Sequence, residues 1–377
     1  MASQLTQEDV LRLMNEPSSA VRAEVAGKLA QEIDSPRLTE TELNLAHEIV
    51  RHMARDVEVS VRQSLAHNLR SAVRLPHDVA LKLANDLEAV SLPILEHSNV
   101  LTDEDLVAIV GQGSEAKQQV IAARPGVSEQ VAEALIDKAS EKAVTTLMKN
   151  GTAHIAEQSM SKAVERFQAS DTVKEAMVSR PVLPIAVAER LAAVVSERLK
   201  DYLVSHHELS SKMATDLVLQ SHERTVISLS TGNSEADVEK MVQQMHRHKR
   251  LTPSLILRAL CMGNVAFFET ALAVMANVPL INARILIHDG GRLGLKTLYE
   301  KTGLPPRLLP AVRVALDVVH ETELDGGLND MERYRARVLE RVLTQFEDFG
   351  AEDLDYLLTK LSDVMAVAES PLAGGSA

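Results

Sequence analysis

The chain has 377 residues, of which 45% are hydrophobic but only 2% aromatic, and its formal net charge is −13. This length provides a sizeable aliphatic core, and the small number of glycines (16) favours an all-α protein. The acidic balance argues against a sequence-independent nucleic-acid binder, which needs a basic face. The single cysteine, Cys261, excludes an intramolecular disulfide and fits a reducing compartment.

Targeting signals are not visible in the sequence. No apolar run approaches the length of about 18 residues that a membrane span needs. The first residues read as the start of a capped helix and not as a signal peptide. We therefore expect a cytoplasmic protein without a membrane span.

A repeated unit of two short amphipathic helices organises most of the chain. Each unit starts with an apolar residue and a helix-starting residue, and apolar residues follow at helical spacing. Successive units are 26, 26, 28, 28 and 26 residues apart, and a period in this range is typical of a solenoid. Their first residues are Leu75, Leu101, Val127, Ile155, Leu183 and Leu209, and two longer units begin at Leu5 and Leu38.

The unit starts carry helix-capping signals. Four Ser/Thr residues are each followed three positions later by an acid, which is the capping-box spacing, and four prolines stand where a missing N–H costs little. The capping pairs are Thr6/Asp9, Thr39/Glu42, Thr102/Asp105 and Ser234/Asp237, and the prolines are Pro76, Pro184, Pro253 and Pro305.

The repeat register also predicts which side chains face the core. Leu135 and Leu191 occupy equivalent inward positions, whereas Glu133 and Glu189 are predicted to be exposed. Cys261 stands between apolar neighbours, which predicts a buried and unreactive thiol.

Aromatic residues suggest a domain boundary. Residues 1–166 contain none, whereas seven of the nine follow Gly263. The repeat nonetheless returns at Leu251, Val278 and Leu304. We predict an α-solenoid of HEAT-like helix pairs, with a period of about 26 residues, over residues 1–230. A C-terminal helical domain is expected over 231–367 and a disordered tail over 368–377.

Two parts of the sequence carry family resemblances. The segment from Asp56 to Val61-Arg62 resembles the Asp…Val-Arg signature of HEAT repeats. The segments 250–273, 287–305 and 334–344 resemble an alphaproteobacterial family catalogued as a domain of unknown function. The resemblance covers about residues 40–350, and Asp289-Gly-Gly-Arg292 through Tyr299 is its most specific part. It implies a cytoplasmic helical protein with HEAT-like repeats and supplies no catalytic residues.

Adjacent His-Glu pairs raise the question of a metal site. A HEAT-like enzyme, deoxyhypusine hydroxylase, binds two irons through four such pairs, and imidazole and carboxylate suit iron. The pairs here fall at unrelated positions of the repeat, so we interpret them as surface histidines and predict no metal and no cofactor. A di-iron enzyme remains a remote alternative. The pairs are His47-Glu48, His207-Glu208, His222-Glu223 and His320-Glu321.

The glycine segment that follows Asp289 lacks the Lys-Ser/Thr of a P-loop, so we interpret it as a connection between two helices. An anion site formed by its free N–H groups, with Arg284 and Arg292 beside it, is the open alternative.

Two basic groups one repeat apart form the candidate binding site. We hypothesise that they converge on one surface, which receives an acidic partner segment or a phosphate-bearing ligand. Arg250, Arg284 and Arg292 would be the principal contacts. Alternatively, both groups balance nearby acids such as Glu235, Glu239 and Asp289. The first group is His246, Arg247, His248, Lys249 and Arg250, with Arg258 following, and the second is Arg284, His288 and Arg292.

These observations favour a protein that is not an enzyme. We expect a protein–protein interaction scaffold or regulator, in bacterial signalling, because stacked repeats create an extended surface for a partner. The alternative is a sensor that binds an anionic small ligand or nucleic acid through the basic C-terminal segments. HEAT-like alkylated-DNA glycosylases are a precedent, but they rely on aromatics and a positive groove, so nucleic acid is the less favoured ligand. The sequence leaves the oligomeric state open.

Overall fold

The computed structural model describes residues 18–34, 36, 38–206, 210–289, 293–321 and 330–344. Within these ranges the regular structure is entirely helical, which confirms the all-α prediction. The chain divides between Leu183 and Pro184 into two compact units. The predicted boundary at residue 231 therefore lies inside the second unit.

The first unit contains eleven described helices. They are α1 (Ser19–Glu32), α2 (Glu40–Met53), α3 (Val59–Leu69), α4 (His77–Ala84), α5 (Glu88–His97), α6 (Asp103–Gln112), α7 (Glu115–Ala123), α8 (Glu129–Lys138), α9 (Glu141–Lys149), α10 (Glu157–Arg166) and α11 (Asp171–Val178).

Nine α-helices and a 3-10 turn are described in the second unit. They are α12 (Ile185–His206), α13 (Ser211–Ser230), α14 (Glu235–Arg247), α15 (Pro253–Cys261), α16 (Val265–Ala276), α17 (Leu280–Ile287), α18 (Leu293–Thr302), the 3-10 turn Pro306–Leu308, α19 (Leu309–Glu321) and α20 (Asp330–Thr344).

Helices of the first unit stack in two rows. The second helices of successive repeats, α3, α5, α7, α9 and α11, pack one on the next, and α6, α8 and α10 do the same in the other row. Each repeat thereby buries its apolar face against its neighbours, which is the packing of a solenoid. Leu135 is fully buried in this core, as the repeat register predicts.

The helix caps follow the sequence signals. Thr39 with Glu42 and Thr102 with Asp105 form complete capping boxes. The Ser234 hydroxyl accepts a hydrogen bond from the Asp237 N–H and donates to the Asp237 carboxylate, whereas the described contacts include no bond from the Ser234 N–H to that carboxylate, so this box is only half formed. The pair Thr6/Asp9 lies outside the described residues. Caps of this kind each contribute about 1 kcal/mol and fix where a repeat begins.

Polar side chains join successive repeats of the first unit at the helix C-termini. Arg124, which follows α7, donates to the main-chain carbonyls of Leu95 and Ser98 at the end of α5. Asn150, which follows α9, donates to the carbonyls of Ala122 and Arg124 at 3.0 and 2.7 Å. Arg180, after α11, donates to Met148, Asn150 and Ala153, each at 3.1 Å. The last carbonyls of a helix lack intrahelical partners, so each repeat supplies donors to the one before it.

The second unit has an aromatic core. Phe267 and Phe268 are fully buried in α16, and the buried Tyr334 hydroxyl donates to the Leu260 carbonyl at 2.8 Å. Cys261 lies in the same core, and burial raises the pKa of its thiol to about 12. The predicted buried thiol is confirmed, and at neutral pH it is protonated and shielded. The aromatic residues that become frequent after Gly263 therefore mark the aromatic core of the second unit. The boundary between the two units lies some 80 residues earlier, after Leu183.

Two carboxylates of the second unit are buried in ion pairs. Glu189 is fully buried, and both of its carboxylate oxygens accept from Arg250, at 2.7 and 2.8 Å. The predicted exposure of Glu189 is therefore wrong, because the residue occupies the face of α12 that meets Arg250. Glu223, on α13, accepts from the Arg258 Nε at 2.9 Å and from the hydroxyls of Ser254 and Thr252.

Among the described residues, no single helix is both long and apolar enough to cross a membrane. One bent pair, α16 with α17, reaches the required length and hydropathy only together, across a bend of 112°.

Candidate binding cleft of the second unit

A cleft of about 600 Å³ lies between α14, α16 and the start of α17. The chain turns sharply between α16 and α17, where Asn277 adopts a left-handed conformation (φ 52°), which asparagine tolerates better than most residues. This turn leaves the two helices 112° apart and opens the space above α16. The cleft is lined by Glu239, Gln243, His246, Arg247, Thr270, Ala273, Val274, Met275, Asn277, Val278, Pro279 and Leu280.

One wall of the cleft belongs to α14. Glu239, Gln243, His246 and Arg247 recur every three or four residues and therefore share one helix face. Gln243 donates to the Glu239 carboxylate at 3.1 Å, so these two side chains hold each other. His246 and Arg247 are exposed, and neither is in an ion pair within the described part of the chain. The α14 wall therefore carries the carboxylate of Glu239 and the amide of Gln243 toward one end, and the basic side chains His246 and Arg247 at the other.

The opposite end of α14 is closed by a charged network. Arg284 of α17 donates to both carboxylate oxygens of Glu235, at 3.2 and 3.1 Å, and to Glu269 at 2.7 Å. Glu269 is nearly buried, on α16. The hydrogen bonds from Glu269 and Glu235 raise the pKa of Arg284 above its ordinary value. Arg284 therefore ties α17 to both α14 and α16.

Two histidines extend this network to the surface. The Nε2 of His288 lies 2.6 Å from the second oxygen of Glu269, and its Nδ1 lies 2.8 Å from Nε2 of His320. An ionised Glu269 only accepts, so His288 donates from Nε2, and a neutral His288 then accepts from His320 through Nδ1. The hydrogen bonds between Glu269 and His288 and between His288 and His320 hold both imidazole rings in fixed orientations. It contains no hydroxyl or thiol that could act as a nucleophile.

The predicted site residues separate into three groups. His246 and Arg247 line the cleft, and His248 and Lys249 are exposed in the turn that follows. Arg250 and Arg258 are bound to the buried carboxylates of the second unit, so they are structural and not surface contacts. Arg284 and His288 belong to the network on Glu269, and Arg292 lies outside the described residues.

The described members of the two basic groups lie toward opposite ends of α14. Arg284 contacts the first residue of α14, whereas the run from His246 begins eleven residues later, about 16 Å along the helix axis. The hypothesis of convergence assumed that equivalent repeat positions lie side by side, and the 112° bend before α17 removes that equivalence. The alternative interpretation, that arginines balance nearby acids, holds for Arg284 with Glu235.

Sequence reasoning missed the three buried carboxylates that organise this unit. Glu189 and Glu269 each stand as an isolated acid in an otherwise apolar helical segment, and that isolation is the signal that could have identified them. Glu223 was considered only as half of a His-Glu pair.

The His-Glu pairs have separate surroundings. The Nε2 of His47 lies 2.9 Å from the Arg74 carbonyl, His222 lies 3.4 Å from Glu189, and His320 contacts His288. The pair His207-Glu208 lies outside the described residues. Across the part of the chain that is described, no three His, Cys, Asp or Glu side chains are grouped so that they could hold a metal ion.

The protein is thus an all-helical molecule of stacked helix pairs, and its second unit carries a cleft. The α14 wall of this cleft bears the exposed Arg247 at one end. The chain belongs to a family described as "Uncharacterised protein conserved in bacteria (DUF2336)", which matches residues 90–351. The match includes α14, α16 and α17, and hence the whole cleft. No curated protein and no solved structure matches the chain.

Proposed function

We propose that this chain is a non-catalytic docking protein, and that the cleft binds an acidic, amphipathic segment of a partner protein. The observation that carries the proposal is the placement of His246 and Arg247. Both side chains are exposed on a cleft wall, without an ion pair among the described residues, and Arg247 is a cation in a chain whose net charge is −13.

The opposite rim of the cleft is apolar. Leu280 of α17 lines the cleft, Arg284 contacts Glu235 of α14, and Ala283 and Ile287 are buried in the core. At 100° per residue, Ile281 and Ile285 lie on the outer side of the same helix, away from the core. Both are more than 60% exposed, which is unusual for two isoleucines one helical turn apart.

This arrangement specifies the chemistry of the partner. A helix or extended segment lying along the cleft would bury apolar side chains against Ile281 and Ile285 and present carboxylates to His246 and Arg247. Exposed cations in an acidic surrounding attract negative groups and speed their association, while the apolar contact supplies most of the affinity. An amphipathic helix in a groove is a common recognition mode.

We further propose that the repeats are HEAT-like and that the protein works as a regulator or scaffold in the bacterial cytoplasm. Row-by-row helix stacking and the bidentate pairing of Arg62 with Asp86, at 2.6 and 3.0 Å, support HEAT-like repeats. The bacterial family match supports the setting. An alphaproteobacterial origin rests on the sequence resemblance alone.

A paired capture experiment tests the docking proposal. The wild-type chain, an Arg247→Glu/Ile285→Asp variant and a matched Lys301→Glu/Leu293→Asp control would each be used to capture partners from the native bacterium. The control changes one exposed cation and one exposed apolar residue outside the cleft. A partner that is held by the wild type and the control, released by added salt and lost from the cleft variant would support the proposal. Equal capture by the cleft variant would overturn it.

A small anionic ligand is the second candidate, because about 600 Å³ is within the range of small-molecule sites. Nucleotides and simple phosphorylated metabolites would be screened for a shift in melting temperature. A shift that Arg247→Glu abolishes, with no captured protein, would favour this candidate over the partner segment.

A further inference from the structure

The helical hairpin of α12 and α13 carries an exposed apolar face. These helices have 22 and 20 residues, about 33 and 30 Å, whereas every other described helix has at most 15. None of residues 195–205, in the distal half of α12, is buried. Within this overhang, Val195, Leu199, Tyr202, Met213 and Leu217 are between 46% and 60% exposed.

Helix geometry places these residues on one side of the hairpin. Val195, Leu199 and Tyr202 are spaced by four and three residues and form one stripe of α12, and Met213 and Leu217 form one stripe of α13. Leu199 directly precedes the half-buried Lys200, and Leu217 directly precedes the buried Val218. On each helix the exposed stripe is therefore rotated about the helix axis, in the same sense, from the seam, which is the buried side where α12 and α13 pack on each other. In an antiparallel pair, equal rotations from the seam lead to the same face. Leu199 and Leu217 are also about level, being seven and six residues from the loop-side helix ends.

The charge of this region suits a second copy of the chain. Residues 195–224 contain four basic and five acidic residues, a net charge of −1, although the whole chain carries −13. Two copies that met elsewhere on such an acidic surface would repel each other. On the hairpin face an apolar stripe therefore coincides with nearly balanced charge.

We infer that the chain forms a two-fold symmetric dimer in which the two hairpins pack face to face as a four-helix bundle. In this dimer α12 of one copy lies against α13 of the other. That arrangement sets Leu199 against the partner's Leu217. A two-fold axis makes each contact occur twice.

Sedimentation of the full chain over about 1 to 100 µM tests the dimer. The wild type should reach dimer mass within this range, whereas Leu199→Asp/Leu217→Asp should stay monomeric with an unchanged helical circular dichroism signal. Ile285→Asp is the matched control, because it places a charge on an equally exposed apolar residue of the cleft rim. It should dimerise like the wild type, which separates this inference from the docking function. A wild type that is monomeric at the highest concentration would overturn the inference.

Disulfide cross-linking tests the orientation. Cys261 is buried, so a cysteine introduced at the hairpin is the reactive thiol of the described chain. A mixture of Leu199→Cys and Leu217→Cys chains should cross-link at least ten-fold faster than either variant alone. Cross-linking of Leu199→Cys with itself as fast as the mixture would contradict the α12-to-α13 arrangement.

Discussion

The two units of this protein use their cations differently. In the first unit Arg124 and Arg180 donate to main-chain carbonyls of the preceding repeat. In the second, Arg250, Arg258 and Arg284 neutralise the carboxylates of Glu189, Glu223 and Glu269, all of which are buried or nearly so.

The difference concerns what can replace the cation. A carbonyl needs only a donor, and the neutral Asn150 serves the end of α7 as the arginines serve the ends of α5 and α9. A buried carboxylate needs a positive charge, because an unpaired ion in the interior is strongly unfavourable. The first unit is therefore expected to tolerate exchange at these contacts with main-chain carbonyls, whereas the second unit is not expected to tolerate exchange at its buried ion pairs.

Removing the buried guanidinium of the second unit should have the largest effect. Arg258→Met leaves Glu223 buried without a countercharge and should lower the free energy of unfolding by about 3–5 kcal/mol, measured by urea denaturation. The double variant Glu223→Gln/Arg258→Met removes both charges and should recover much of this loss. A double variant no more stable than Arg258→Met would show that packing, and not charge, is responsible.

Truncation of the first unit's core should cost nearly as much. Leu135 is fully buried and Leu191, its counterpart in the second unit, is 5% exposed, so Leu→Ala at either should cost about 2–5 kcal/mol in thermal or urea denaturation. Glu133→Ala, at an exposed residue in a surface ion pair with Lys162, should stay within about 0.5 kcal/mol. Glu189→Ala, at the equivalent repeat position, should instead be strongly destabilising because it removes the buried carboxylate that pairs with Arg250. Equal tolerance of both glutamate variants would contradict the buried pair.

Loss of an inter-repeat donor should have an intermediate effect. Arg180→Met deprives the end of α9 of its hydrogen bonds and should cost about 1–3 kcal/mol in the same measurement. Arg180→Asn should recover part of this, since Asn150 performs the same role one repeat earlier. Lys149→Ala, at an exposed neighbouring cation, is the control and should be neutral. An Asn variant as unstable as the Met variant would show that charge matters here too.

The smallest predicted effect is a pH dependence in the first unit. Burial is the largest single influence on Asp86 and opposes its ionisation, but the hydrogen bonds from Arg62 and from the Leu87 N–H, together with the charges of Arg62 and Lys82, outweigh it. The pKa of Asp86 therefore lies below its ordinary value of 3.8. A depressed carboxyl pKa adds stability above the unfolded value of about 3.9, and this is lost as the pH falls through the folded pKa. Urea midpoints should thus be flat from neutral pH to about 5 and fall below about 4. Asp86→Asn should be less stable at neutral pH and show a shallower fall, and an unchanged pH profile would contradict this origin.

The sequence could predict the repeats because their signals are local. An apolar residue every three or four positions and a Ser or Thr three residues before an acid act within one helix, so Leu135 and the caps at Thr39 and Thr102 were found without knowledge of the fold. The cleft depends on the bend at Asn277, which sets α17 across α16 and carries Arg284 away from the basic run. The partners of Arg250 and Arg258 lie 61 and 35 residues away, and no local pattern pairs them.

The donors at the helix ends of the first unit make its length adjustable. Arg124, Asn150 and Arg180 each serve the helix two places earlier, so the same joint recurs along the row. Removing residues 125–150 as a block would excise α8 and α9 together with the donor Asn150, and would bring Arg180 to the end of α7. The shortened chain would keep a donor for every acceptor in that row. A lineage could therefore gain or lose repeats by duplication or deletion without redesigning the neighbours, and vary the reach of the first unit while the second stays intact.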